Sequence, residues 1–143
     1  MKKIILSLFM FLLSYSIASA QGVGYVDYSV IYKELPISKQ LQKQIDLKAQ
    51  AVRDYNQATK TQLSSKKTEA EKEQVRTSRK AQLIKLEKEY IELRYKQEAV
   101  VKAKVKTASD IVLSQKKLDI IIDKKMQVSG GVDCTSDILK AIK

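Results

Sequence analysis

Between Leu83 and Val112 the chain has neither glycine nor proline, and its apolar residues return every three or four positions. That period is helical. Leu86, Tyr90, Leu93, Val100 and Ile111 fall on one seam, interrupted by Gln97, Lys104 and Thr107. Ile84, Ile91, Val105 and Val112 form a second line at multiples of seven residues, so the apolar band is broader than a two-stranded zipper needs. The opposite face is Lys, Glu and Arg. Most helical stability comes from packing the apolar face, so the chain must supply this helix with a partner.

The N-terminus bounds where that happens. Lys2 and Lys3, the apolar run Ile4 to Leu13 and the small-residue site Ala18-Ser19-Ala20 read as a secretory signal peptide over residues 1–20, cleaved after Ala20. The run is shorter than the ~20 residues a membrane span needs. No cysteine follows it to carry a lipoprotein anchor. The expectation is an exported protein of the periplasm, a single domain over residues 21–143 with no later segment apolar enough to cross a bilayer. Taking Lys2 and Lys3 from the 27 basic residues, against 16 acidic ones, leaves a net charge of +9. The lone cysteine, Cys134, allows no intrachain disulfide and reads as a small, partly buried residue near a helix start. With no histidine, zinc sites of the usual Cys/His kind and histidine acid–base catalysis are excluded.

Taken in order, Val23 to Val26 reads as a short strand, and Asp27 or Ser29 can cap a helical turn over Val30-Ile31-Tyr32. Pro36, the only proline, suits the first turn of a helix, where its missing N–H costs nothing. From Ile37 to Leu63 a thinner apolar stripe predicts a first long helix. Ser64-Ser65-Lys66-Lys67 has no apolar anchor, and Thr68 with Glu71 matches a capping box. The spacing therefore predicts a reversal near 64–68 and a second helix from about Glu69 to Lys116, roughly 70 Å long at 1.5 Å per residue. A 123-residue globule is only about 30 Å across, so this helix projects as an arm. Leu118 to Asp123 reads as a strand, Met126 to Ser129 as a second strand across a Lys124-Lys125 turn, and Ile138, Leu139 and Ile142 as a terminal helix. The expected fold is α+β and mostly α: a long antiparallel helical hairpin arm (36–116) on a small β-sheet body (21–35 and 117–143). A three-strand sheet buries too little to stand alone, which points to oligomerisation.

These pieces together resemble the Skp/OmpH family of periplasmic chaperones. The resemblance rests on the signal peptide, Gly24-Tyr25-Val26-Asp27 followed by Val30-Ile31-Tyr32, and the Glu34-Leu35-Pro36 lead-in. The charged helical hairpin, the Leu118-to-Lys124 strand and the ending Asp133-Cys134-Thr135-Ser136-Asp137-Ile138-Leu139 match too. It covers essentially all of residues 21–143. Gly130-Gly131 departs from it, standing where relatives often carry a longer strand. The resemblance implies a homotrimer whose strands join in a small barrel, with three arms around a cavity for unfolded outer-membrane proteins.

The expected function is that of an ATP-independent holdase, with no cofactor, no metal and no catalytic residue. Candidate client-binding residues are Tyr55, Leu63, Leu83, Leu86, Tyr90, Leu93 and Val100, with Lys60, Lys66, Lys67, Arg76, Arg79 and Lys80 near the tip. The apolar ones also suit packing between the two helices, and the spacing favours that reading; the basic ones suit a solvated face. The charge fits acidic clients and the anionic membrane surface. No Gly-rich phosphate loop supports a nucleotide cycle. Asp27, Asp119, Asp123, Asp133 and Asp137 sit at strand ends and caps, where carboxylates have structural roles. Nucleic-acid binding lacks a reading motif and conflicts with export. The competing reading is a coiled-coil envelope spacer, which should carry its heptads to the end rather than break them at Gln97 and Lys104 and close on strands.

Overall fold

A computed structural model describes residues 22–142; the signal-peptide reading falls outside them. The order is β1 (Gly22–Val26), α1 (Tyr28–Glu34), α2 (Pro36–Ser64), α3 (Glu69–Lys116), β2 (Leu118–Asp123), β3 (Val132–Asp133) and α4 (Thr135–Ala141). Local chemistry explains most boundaries. Asp27 caps α1 by accepting the Ser29 N–H at 2.9 Å. Pro36 opens α2. Thr68 and Glu71 form the full capping box that opens α3, and Lys117 ends it in the left-handed region (φ 52°). Both long helices end within a residue of the expected positions.

The two helices lie along each other with residue numbers running in opposite directions: Ser38 meets Gln97, Lys48 meets Glu89, and Tyr55 meets Arg79. β1 sits at the centre of a three-stranded sheet in the order β2-β1-β3, and both pairings are parallel. The long connection through the helices supplies the crossover that the parallel β1–β2 pairing requires. Gly24 lets the body close: a Cβ there would lie 2.9 Å from both Cys134 Sγ and Leu118 Cδ1.

Two expectations are corrected. Met126 to Ser129 forms no strand; Lys124–Met126 is a 3-10 turn, and the third strand is Val132–Asp133. A two-residue hairpin turn needs positive φ at its centre, which lysine disfavours. Instead the Asp123 side chain accepts the Lys125 N–H at 3.0 Å and winds the chain into a helical turn. Gly130 and Gly131 (φ 71° and 91°) then redirect it into parallel register with β1.

The buried line on α3 also differs. Gln97, Val101, Val105, Ala108 and Val112 are buried, whereas Ile84, Ile91 and Ile111 are exposed. The expected second line thus splits, Val105 and Val112 inside and Ile84 and Ile91 outside. A line at seven-residue spacing drifts about 20° per heptad around a straight helix, and it covers four heptads here. The core lies at the root of α3, where its valines and Ala108 pack with Val26, Ile31, Leu35, Cys134 and Ile138.

Candidate functional site

From Leu47 to Lys96 no residue is fully buried. The arm is held by half-buried side chains and by polar ties spaced along it. At its root the Gln97 amide nitrogen donates to the Ser38 carbonyl (3.0 Å), Ser38 Oγ (3.2 Å) and Gln42 Oε1 (3.3 Å). Midway, Lys48 Nζ pairs with Glu89 Oε2 at 2.6 Å, and this bond lowers the Glu89 pKa. Nearer the tip the Arg79 guanidinium stacks 4.0 Å over the Tyr55 ring and donates to Gln62 Oε1 at 2.9 Å. The Tyr55 hydroxyl returns a bond to the Arg79 carbonyl at 3.1 Å. Arg79 Nε is buried and has no hydrogen-bond partner among the described residues.

The candidate client residues divide accordingly. Tyr55, Leu63, Leu83, Leu86, Tyr90, Leu93 and Val100 are half-buried along the arm. Arg79, expected among free tip cations, is a cross-helix staple instead. Lys60, Lys66, Lys67, Arg76 and Lys80 are exposed, with Arg76 held by Glu73 (3.2 Å) and Glu69 (3.9 Å). An open groove of about 390 Å³ gathers Tyr55, Arg76, Arg79, Lys80 and Leu83 with Thr59 and Glu73. Leu63, Leu86, Leu93, Lys60, Lys66 and Lys67 lie outside it.

Two surfaces were missed by sequence reasoning. On α3, Ile84 (53% exposed), Ile91 (47%) and Tyr95 (67%) make an apolar stripe open to solvent. Beside it lies a groove of about 920 Å³ whose walls include Tyr32, Tyr90, Tyr95, Arg53 and Arg94. The signal was the apolar band itself, broader than the thin stripe of α2 can cover. In the body Cys134 is free and buried, and burial raises its pKa. Among the described residues there is no cluster of metal ligands, and no helix is long and apolar enough to cross a membrane.

No protein-family model matches the sequence, and no curated protein matches it.

Proposed function

We propose that this chain is an ATP-independent holdase of the Skp/OmpH kind, exported to the periplasm, that binds unfolded outer-membrane β-barrel polypeptides and keeps them from aggregating. The observation that carries the reading is the Ile84, Ile91 and Tyr95 stripe, apolar and uncovered on an arm whose two helices are tied by polar contacts. An unfolded client is extended and apolar, and such a surface takes it without requiring a fixed sequence. In this reading the chain works as a trimer whose antiparallel arms enclose the client, without cofactor or catalysis. The exposed cations Lys60, Lys66, Lys67 and Lys80 surround the tip, where they attract acidic clients or the anionic membrane surface.

The test is dilution of a urea-unfolded outer-membrane β-barrel into the purified protein without ATP. Suppression of light scattering is expected, weakened several-fold by joint Ile91→Asp and Tyr95→Ser substitution at unchanged helix content. No suppression at several-fold molar excess would leave the envelope spacer as the better description.

A further inference from the structure

Most of the uncovered large apolar residues lie in two groups: Val23, Ile120, Met126, Val128 and Val132 on the body, and Ile84, Ile91 and Tyr95 on the arm. Ile91 and Tyr95 of the arm group line the groove of about 920 Å³ between α2 and α3, and that groove carries more than apolar surface. Its floor is the buried Ile45 beside Ala49, whose small side chain leaves room between the helices. Tyr90, Ile91 and Tyr95 line its α3 wall, and Tyr32 comes from α1 at the body end.

Four charged groups line the same groove, and they are not matched to one another. Glu98 is held by Lys102 at 2.6 Å; that bond lowers its pKa, and the field of Arg94 adds to the effect. Asp46 accepts the Gln42 amide at 2.8 Å. Arg53 donates to a neutral oxygen, Gln50 Oε1, at 2.6 and 3.0 Å. Arg94 lies 5.8 Å over the Tyr90 ring and forms no ion pair among the described residues. An arginine laid against a ring keeps the N–H edges of its guanidinium free, and that planar fork fits a carboxylate. Beside it, Ile91 and Tyr95 stand one helical turn apart on one face, a gap in which a ring can pack offset or edge-on.

We propose that Arg94 is a specificity-determining residue of the client site, so that the groove prefers segments of an unfolded polypeptide in which an aromatic side chain stands next to a carboxylate. The aromatic ring packs between Ile91 and Tyr95, and the carboxylate pairs with Arg94. This rests on the holdase reading and deepens it: the apolar stripe accepts extended apolar chains in general, and Arg94 ranks them. An aliphatic segment loses the ring packing, and a basic one meets an uncompensated guanidinium.

The test uses three dye-labelled Gly/Ser peptides that differ only in a repeated pair: phenylalanine–aspartate, phenylalanine–lysine or leucine–aspartate. Each is titrated with the purified protein by fluorescence anisotropy at one ionic strength. The phenylalanine–aspartate peptide should bind about three- to fivefold tighter than either of the others, the size expected of one partly exposed charge pair or one aromatic pair. Arg94→Glu should invert the order of the two phenylalanine peptides at unchanged circular dichroism, and Arg94→Gln should make them equal. Lys96→Glu makes the same change in net charge on the opposite face of α3 and should keep the wild-type order. Equal binding of the three peptides, an order that survives both Arg94 substitutions, or an order inverted by Lys96→Glu would overturn this inference. Where the wild type still suppresses aggregation of a urea-diluted β-barrel, those results leave the holdase reading standing. A wild-type protein that neither binds a peptide nor suppresses aggregation would overturn both.

Discussion

Among the described residues Gln97 is the one long polar side chain that is buried, 8% exposed at the junction of arm and body. Replacing it with alanine removes three hydrogen bonds made by one amide nitrogen. The Ser38 carbonyl keeps its place in the helical ladder, but Ser38 is fully buried and, among the described residues, its Oγ is bonded to Gln97 alone. A stranded buried hydroxyl costs about 1–3 kcal/mol, and the vacated volume adds to it. The expected loss for Gln97→Ala is therefore about 2–4 kcal/mol. Ser38→Ala alone leaves the amide bonded to Gln42 and the Ser38 carbonyl, so it should cost under about 1 kcal/mol. The double variant should be less damaged than the sum of the singles, with a coupling of about 1–2 kcal/mol, because the stranded hydroxyl is gone. Urea unfolding followed by circular dichroism at one fixed protein concentration measures all four corners of the cycle. A second arm makes the mechanism specific: Gln97→Leu with Ser38→Ala replaces both partners by apolar groups and should lie within about 1 kcal/mol of wild type. If the singles add within about 0.5 kcal/mol, or the apolar pair is as unstable as Gln97→Ala, the polar layer is not what joins the helices here.

The other polar ties have their own signatures. Arg79→Ala should cost about 1–2 kcal/mol through the lost stacking on Tyr55 and the bond to Gln62, read as faster amide hydrogen exchange in the arm with the body unchanged. Arg79→Lys should not restore it, because lysine cannot stack and fork together. Thr68→Ala breaks the capping box and should cost about 1 kcal/mol, with exchange accelerating in the first turn of α3 only. Hydrogen bonds from Lys124 and Ser29 hold Asp27 well below the ordinary aspartate value of 3.8. A depressed carboxylate pKa contributes stability above the unfolded value that is lost as pH falls below it. Melting temperature should therefore fall below about pH 4 in wild type, and Asp27→Asn should start lower at neutral pH and lose less on acidification.

Much of this fold was legible because its boundaries are set by local chemistry. Pro36 at the first turn of α2, the Thr68/Glu71 box and the β-branched run Leu118–Asp123 each act within four residues of themselves. What could not be read depends on distant partners. Arg79 looks like any tip cation until Tyr55, 24 residues earlier, is laid under it. Gln97 looked like a break in a seam, yet it is buried because Ser38 and Gln42 meet it from α2. The split of the Ile84–Val112 line was out of reach because it depends on where α2 stops covering α3 and the body begins. Met126 to Ser129 carried a strand pattern, but it pairs with no strand among the described residues. The candidate client residues divide for the same cause: the seam takes up Tyr55 and Arg79, and the uncovered apolar residues Ile84, Ile91 and Tyr95 are those one face away.

The two uncovered apolar surfaces differ in a way that separates their roles. On α3 the backbone donors and acceptors are spent on the helix, so Ile84, Ile91 and Tyr95 can offer only side-chain contact. Such contact is non-directional and individually weak, and it tolerates any extended apolar chain. At the outer edge of β2 the backbone groups have no strand partner among the described residues, and such an edge imposes direction, register and spacing on whatever joins it. A surface that demands register suits one constant partner. A surface without register suits partners that vary. The fold keeps the two apart, with the valine core at the root of α3 packed between them.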